Sequence, residues 1–328
     1  MRPVVRQARF FLERAVLRGA AAVVPWLPYE VLRGAAWCLG WAAGVADRRG
    51  RMAAEENLRV AFPALGRRER SMLRRRSYQT FARTFLELFW ARRVMPTNEA
   101  GHFCRHFASE AAHQAVEEGC IFATAHLANF EWLSLAAAMG GFPAMIVAEN
   151  FKNAALTGLF RRLRETGGHL LIAQENAIVR LFKHLRRGGR VAVLVDLNIP
   201  PDQSATVIEC FGLKTCVTVG HAALAQRSGR PMIPCYAVPL PDGRYEMRFL
   251  DPIHVREGDS LQAACQQCWD HFEAAIRQQP EIWMWMYKHW RYLPEEAAAG
   301  DYPAYANRSK KFDLLLREAG GGPNARQA

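Results

Sequence analysis

Cys120-Ile-Phe-Ala-Thr-Ala-His126-Leu-Ala-Asn-Phe-Glu131 is the stretch on which the reading of this chain turns. Cys120–Ala125 is uncharged and almost wholly apolar, and short enough to suit a strand buried on both faces. His126 follows at once. Asn129 then offers a helix N-cap, and Glu131 falls in the first turn of the helix it would start. Strand, turn and helix are therefore expected in that order. His126 stands at the strand's carboxyl end, where open α/β sheets gather their ligands.

Working outward, the same alternation continues. Strands are expected at Cys120–Ala125, Ala144–Ala148, His169–Ala173, Val191–Asp196, Val207–Phe211, Met232–Val238 and Tyr245–Leu250. Helices are expected at Glu131–Ala138, Ala154–Thr166, Ala177–Arg187, Thr218–Arg227 and Leu261–Gln279. This pattern predicts an α/β fold, a mixed sheet flanked by helices on both faces. It occupies residues 95–294, with 295–328 as a C-terminal tail.

Residues 1–94 read differently. They hold 19 of the basic residues, all arginine, against 7 acidic ones, which accounts for the whole formal net charge of +12. Residues 3–22 have helical periodicity, with Val4, Val5, Ala8, Phe11, Leu12, Ala15 and Val16 on one face and Arg2, Arg6, Arg9 and Glu13 on the other. Trp26, Tyr29, Trp37 and Trp41 follow, aromatics of the kind that collect at bilayer interfaces. A basic amphipathic segment that associates with an anionic membrane surface is the expectation. The apolar stretch Gly19–Ala46 is broken by Pro25, Pro28, Glu30 and Arg33, and its uninterrupted part is shorter than the roughly 20 residues a span needs. No signal peptide is legible. Two more helices are expected in residues 50–94, the first closing at Phe62-Pro63 and the second running from about Arg67 to Arg93. Arg74, Arg75 and Arg76 come with no nucleic-acid recognition motif, so nucleic acid is not an expected partner.

The chemistry centres on His126 and Glu131. A carboxylate that accepts from one imidazole nitrogen fixes the tautomer and leaves the other nitrogen basic. Such a base can take the proton of an acceptor hydroxyl as it attacks an activated acyl carbonyl, and N–H groups at a helix start can stabilise the oxyanion. No serine or cysteine nucleophile is needed. Spacing by itself does not separate this role from a capping histidine beside an ordinary first-turn acid. The run lacks the H-E-x-x-H of zinc proteases, and Cys265-x-x-Cys268 has no second pair at zinc spacing. No metal or cofactor is expected.

His126-Leu-Ala-Asn-Phe-Glu131 resembles the H-x4-D/E motif of glycerolipid acyltransferases. More closely, it resembles the His-Leu-Gly-Asn-Trp-Glu run of the late (secondary) lipid A biosynthesis acyltransferases. Further segments match that family in order: Asn57-Leu58 through Phe62-Pro63, Arg164 with Gly167 or Gly168, Asp196-Leu197-Asn198, Phe211-Gly212, Pro280-Glu-Ile-Trp-Met-Trp285 and Trp290-Arg291. Ala128 stands where the family usually has Gly, and Phe130 where it has Trp. The resemblance implies an acyltransferase on the cytoplasmic face of a bacterial inner membrane, peripheral or weakly anchored. It would take its chain from acyl carrier protein or acyl-CoA and acylate a glycolipid acceptor such as a lipid A precursor. His126 would be the general base and Glu131 the acid that orients it. Other acceptors fit the same chemistry: a lysophospholipid, an ornithine-type lipid or a mannolipid. An inactive membrane-binding scaffold is the alternative from another class.

Other residues are weighed beside these. Asn129 either contacts substrate or caps the helix. Arg164 suits a phosphate, such as that of the donor's phosphopantetheine, or a surface ion pair. Asp196 either positions Arg164 or the acceptor hydroxyl, or caps a turn. Trp283, Trp285 and Trp290 are read as walls of an acyl groove or a membrane contact. Lys288, His289 and Arg291 are candidates for acceptor phosphates or a solvated basic face.

Overall fold

Four helices lead into the sheet. In the computed structural model, which describes residues 3–94, 101–147, 154–165, 168–298 and 300–320, these are α1 (Pro3–Val23), α2 (Tyr29–Ala46), α3 (Arg48–Ala61) and α4 (Arg67–Val94). Ala148 and Thr166, expected to end a strand and a helix, and Gly167, one of the two glycines matched with Arg164, lie outside the described residues. Pro28 stands at the N-cap of α2, so the prolines that interrupt the early apolar stretch mark a helix boundary. Asp47 starts α3, its Oδ1 accepting from the Gly50 N–H at 2.9 Å. Phe62-Pro63 closes α3 as expected. Among the described residues, no helix is long and apolar enough to cross a membrane.

The remaining chain alternates. It runs β1 (Phe103–Phe107), α5 (Glu110–Glu118), β2 (Ile121–Thr124), α6 (Phe130–Met139), β3 (Met145–Val147), α7 (Ala154–Glu165), β4 (Leu170–Ile172), α8 (Ala177–Arg186) and β5 (Val191–Leu194). Then come β6 (Ala205–Cys210), β7 (Leu213–Thr218), α9 (Gly220–Ser228), β8 (Met232–Pro239), β9 (Tyr245–Phe249), α10 (Leu261–Gln278), β10 (Tyr292–Leu293), β11 (Asn307–Arg308) and α11 (Lys310–Gly320). Seven strands form one sheet in the order β1-β9-β8-β2-β5-β3-β4. Every neighbouring pair is parallel except β8 with β9. The expected mixed sheet flanked by helices is therefore present and mostly parallel.

Register is what builds the site. Ile121 pairs with Val191 and Thr124 with Leu194 along β2 and β5. The Val195 N–H extends the ladder to the Thr124 carbonyl at 2.9 Å. His126 and Asp196 each lie two residues beyond the last pair, so parallel pairing delivers them side by side. The close packing before these strands depends on Gly119: at φ +106°, a Cβ there would meet the Gly188 carbonyl oxygen at 2.5 Å.

Some elements differ from expectation. The helix expected from Thr218 starts at Gly220, because Leu213–Thr218 is a strand that pairs antiparallel with β6 across the Phe211-Gly212 turn. Both turn residues have positive φ, as a two-residue hairpin requires. The strand β1 carries Arg105 and His106, which masked it as a strand, although one face alternates as a strand should: Phe103 is buried and Arg105 and Phe107 are half-buried, with Cys104 and His106 exposed between them. Helix α5 was also unexpected, though Ser109 caps it at the Ala112 N–H. Beyond residue 294, α11 buries Phe312 against Val207 and Cys216.

One hydrophobic cluster runs from Val24, Leu32 and Leu58 through Leu88 to β2, α6, α10 and Trp290. Trp283, Trp285 and Trp290 belong to it, each no more than 1% exposed. This corrects the reading of these tryptophans as groove walls or membrane contacts. Asn57 of α3 ties this segment to the N-terminal helices: its Nδ2 donates to the carbonyls of Trp285 and Tyr287 at 2.7 and 2.6 Å. Two segments more than two hundred residues apart are thereby one structural unit.

Candidate active site

Asp196 is fully buried, and three N–H groups face its carboxylate. Oδ1 accepts from His126 Nδ1 at 2.9 Å. Oδ2 accepts from the His126 backbone N–H at 3.1 Å and from Trp283 Nε1 at 3.0 Å. Burial alone would raise the acid's pKa, but His126 and these donors outweigh it and hold the carboxyl down at about 2. An ionised carboxylate only accepts, so Nδ1 of His126 carries the proton and Nε2 is the basic nitrogen. For His126, burial disfavours the imidazolium, yet the Asp196 carboxylate prevails and its pKa lies above the ordinary histidine value. The ring is mostly covered, with Phe130 edge-on at 4.9 Å between centroids. Phe130 thus supplies the large apolar wall beside the histidine.

Glu131 is placed otherwise than expected. Its carboxylate forms a two-point pair with Arg164, Oε1 to Nη2 at 2.5 Å and Oε2 to Nε at 3.1 Å. The acid that holds the His126 ring is Asp196. Glu131 and Arg164 still act on His126 through space, the acid favouring its charged form and the guanidinium opposing it. Helices α6 and α7 bring the pair together from 33 positions apart. Burial disfavours the Arg164 cation, but Glu131 more than compensates and raises its pKa.

Asn129 is completely buried with both ends of its amide committed. Oδ1 accepts from the Trp132 N–H at 2.9 Å, the N-cap of α6, while Nδ2 donates to Glu87 Oε2 at 2.5 Å. Of the two readings of Asn129, these contacts are those of the cap. Ala128 precedes it at φ +43°, a conformation that favours glycine and explains the Gly usual at this position of the motif. Two bonds hold it there: its N–H donates to the Ile282 carbonyl at 2.7 Å, and its carbonyl accepts from Thr84 Oγ1 at 2.8 Å.

Glu87 is the residue the sequence reading missed. Its side chain is buried in α4, where Oε1 accepts from Tyr29 Oη and from Arg83 Nε, each at 2.6 Å. Oε2 accepts from Tyr245 Oη at 2.9 Å as well as from Asn129. Its backbone carbonyl accepts from Trp132 Nε1 at 2.9 Å. One acid thus ties α2, α4, β9 and the turn after β2 together. The signal in the sequence was an acid on the apolar side of a helix, between Thr84 and Leu88.

The last candidates divide. His289 is buried and stacks on Trp283 at 3.8 Å between centroids, and burial pushes its pKa down to about 4. It is core rather than a phosphate contact. Arg291 Nη2 donates to Tyr287 Oη at 2.9 Å, and Lys288 is exposed over the Tyr305 ring. Cys265 and Cys268 are free, buried thiols of α10. Among the described residues no three His, Cys, Asp or Glu gather where they would hold a metal ion.

Residues 3–292 match the family model of bacterial lipid A biosynthesis acyltransferases. No curated protein matches the chain. The chain belongs to the bacterial lipid A biosynthesis acyltransferase family.

Proposed function

We propose that this acyltransferase moves a fatty acyl chain from a thioester donor, acyl carrier protein or acyl-CoA, to a hydroxyl of a membrane saccharolipid such as a lipid A precursor. The membership of the family supports acyl transfer to lipid A or a related lipid. The observation that carries the mechanism is the fixed His126 ring, its Nδ1 proton on buried Asp196 and its Nε2 left as the base. Nε2 takes the acceptor's hydroxyl proton as the oxygen attacks the thioester carbonyl. The new C–O bond forms, the C–S bond breaks, and the imidazolium returns the proton to the leaving thiolate. Asp196 steadies the imidazolium formed on the way, as the buried acid of a catalytic triad does.

Glu131 in this reading supports His126 through space and fixes Arg164. The guanidinium then serves the donor's phosphate or the oxyanion, where a rigid, planar cation is of most use. At the start of α6 the N–H groups of Ala128 and Trp132 are already spent inside the protein, so the oxyanion would be met by those of Asn129, Phe130 and Glu131 between them. Asn129 and Glu87 are positioning residues. The site works at the cytoplasmic face of the bacterial inner membrane, where donor and acceptor meet. Mass spectrometry of membrane lipids from cells with and without the gene tests this. Loss of one acyl chain from a saccharolipid is expected; an unchanged saccharolipid with an altered phospholipid or amino-acid lipid would reassign the acceptor.

A further inference from the structure

Phe211, in the turn of the β6–β7 hairpin, holds a strained conformation at φ +52°. A left-handed aromatic is an outlier, since such turns favour Asn or Asp before the Gly. Strain of this kind persists only where the surroundings enforce it, and it collects at functional sites. Here α10 enforces it. The Phe211 N–H donates to Glu273 Oε2 at 2.7 Å, and the buried ring lies 4.7 Å from the Arg277 guanidinium. Arg277 donates in turn to Glu273 Oε1, from Nε at 2.9 Å and Nη2 at 2.7 Å.

What the strained residue packs against is Trp283. The two rings lie within 22° of parallel, with 5.9 Å between centroids. His289 stacks on the same indole at 3.8 Å, and Trp285 meets it edge-on at 4.8 Å. The Trp283 backbone is fixed as well. It forms an antiparallel bridge with Leu127, next to His126, and its carbonyl accepts from Ser77 Oγ at 2.6 Å. This rigidity ends in one polar atom, Nε1, which donates to Asp196 Oδ2 at 3.0 Å. With the His126 backbone N–H, the indole fixes Oδ2, and a fixed Oδ2 keeps Oδ1 on His126 Nδ1. Packing alone asks for the ring and not for an N–H aimed at the catalytic acid. Trp285, equally buried, donates its own to the Pro280 carbonyl.

We propose that the β6–β7 turn is a positioning element of the catalytic site: Phe211 clamps the Trp283 indole, and the indole N–H holds Asp196 in the orientation that keeps the His126 proton on Nδ1. The proposal rests on the acyl-transfer reading, in which that tautomer leaves Nε2 as the base. Loosening the turn should therefore slow the chemistry without weakening the binding of donor or acceptor.

Trp283→Phe keeps a ring and removes the N–H. Loss of one hydrogen bond to a buried carboxylate should lower kcat about tenfold to a hundredfold and leave KM for donor and acceptor within about twofold. Trp285→Phe, which removes a bond that does not reach Asp196, should keep kcat within about twofold of wild type. The readout that packing does not move is the tautomer, followed by nitrogen NMR of histidine-labelled enzyme without substrate. In its neutral form the wild-type His126 signal, assigned by its absence from a His126→Gln protein, should be wholly Nδ1–H. Trp283→Phe should show a mixture with Nε2–H, and Trp285→Phe should not. Glu273→Ala frees the Phe211 N–H from the partly exposed side of α10; it should give the same mixture and a fall of at least about threefold in kcat. It carries the test if Trp283→Phe does not fold. Wild-type kcat and tautomer in folded Trp283→Phe, or in Glu273→Ala where it alone folds, overturn the proposal. So do equal losses of kcat in Trp283→Phe and Trp285→Phe with the tautomer unmoved. The tautomer mixture as proposed, with no transfer by wild type from any donor, refutes the acyl-transfer reading alone; wild-type transfer retained in full by the variants refutes the positioning element alone.

Discussion

Replacing Asp196 by Asn changes one atom of the site and reverses its chemistry. Two N–H groups, those of the His126 backbone and the Trp283 indole, both point at Oδ2. An amide must turn its oxygen towards these two donors, because its NH2 cannot face them. The NH2 is then presented to His126 Nδ1, which must accept. The imidazole proton moves to Nε2, and the nitrogen that should take the acceptor's proton no longer can. Loss of a general base costs on the order of 10²–10⁴-fold in rate, about 3–5 kcal/mol of barrier. The wrong-tautomer case sits towards the upper end of that range. The expected result is a fall of about 10³-fold or more in kcat with KM little changed, measured by release of the donor thiol alongside mass spectrometry of the acceptor. The pH profile is the second readout. The base must be neutral, and Asp196 raises the pKa of His126 above the ordinary value. The acid limb of kcat/KM should therefore lie above the usual histidine range in the wild type and move to lower pH in the variant. A folded Asp196→Asn protein with kcat within tenfold of wild type and an unmoved limb would refute the assignment of Asp196 as the orienting acid.

Other outcomes follow from the same geometry. Glu87→Ala removes the acceptor of Tyr29, Arg83, Asn129 and Tyr245 at once, and should cost about 3–5 kcal/mol in urea unfolding; a loss below about 1 kcal/mol would mean the network is not load-sharing. Ala128→Gly relieves a left-handed alanine and should leave stability unchanged or raise it by up to about 1 kcal/mol, whereas a clear loss would contradict the φ of +43°. His221 is buried with no hydrogen-bond partner among the described residues on either ring nitrogen, and burial pushes its pKa down to about 4. Its neutral form is the one the fold holds, so its contribution is complete above the ordinary value near 6.5 and drains away as pH falls towards 4, on the order of 3 kcal/mol in all. Thermal unfolding of His221→Phe against wild type over that window should show a shallower acid loss in the variant.

Much of the site was legible because it is local. Strand, turn, cap and first-turn acid follow one another between Cys120 and Glu131, and each has a short-range cause. Asp196 and Arg164 were legible as residues but not as partners. Which acid meets His126 depends on β5 lying beside β2 in register, a pairing of residues 70 apart that no periodicity reveals. Glu131 seemed the natural partner because it is near in sequence, yet α7 brings Arg164 to it instead. Glu87 was hidden by Arg83 four positions before it, a spacing that reads as a surface ion pair until α2 and β9 bury it. The tryptophans misled for a related reason. Their abundance suggests an interface, and the two groups divide: Trp283, Trp285 and Trp290 are core, while Trp26, Trp37 and Trp41 are exposed. Strand β1 was lost to its charged residues: His106 lies on the exposed face of an edge strand, while Arg105 shares the more buried face with Phe103 and donates from Nε to the Ala136 carbonyl.

The central claim is that His126 Nε2 deprotonates a lipid hydroxyl for acyl transfer. Its most direct test is single-turnover transfer from a labelled acyl thioester to a hydroxylated saccharolipid, wild type beside His126→Ala, followed by mass spectrometry of the acceptor. With wild type the acceptor should gain one acyl group as an ester while the donor releases one thiol per chain; the variant, folded and still binding donor, should give neither at a measurable rate. Full transfer by His126→Ala would contradict it.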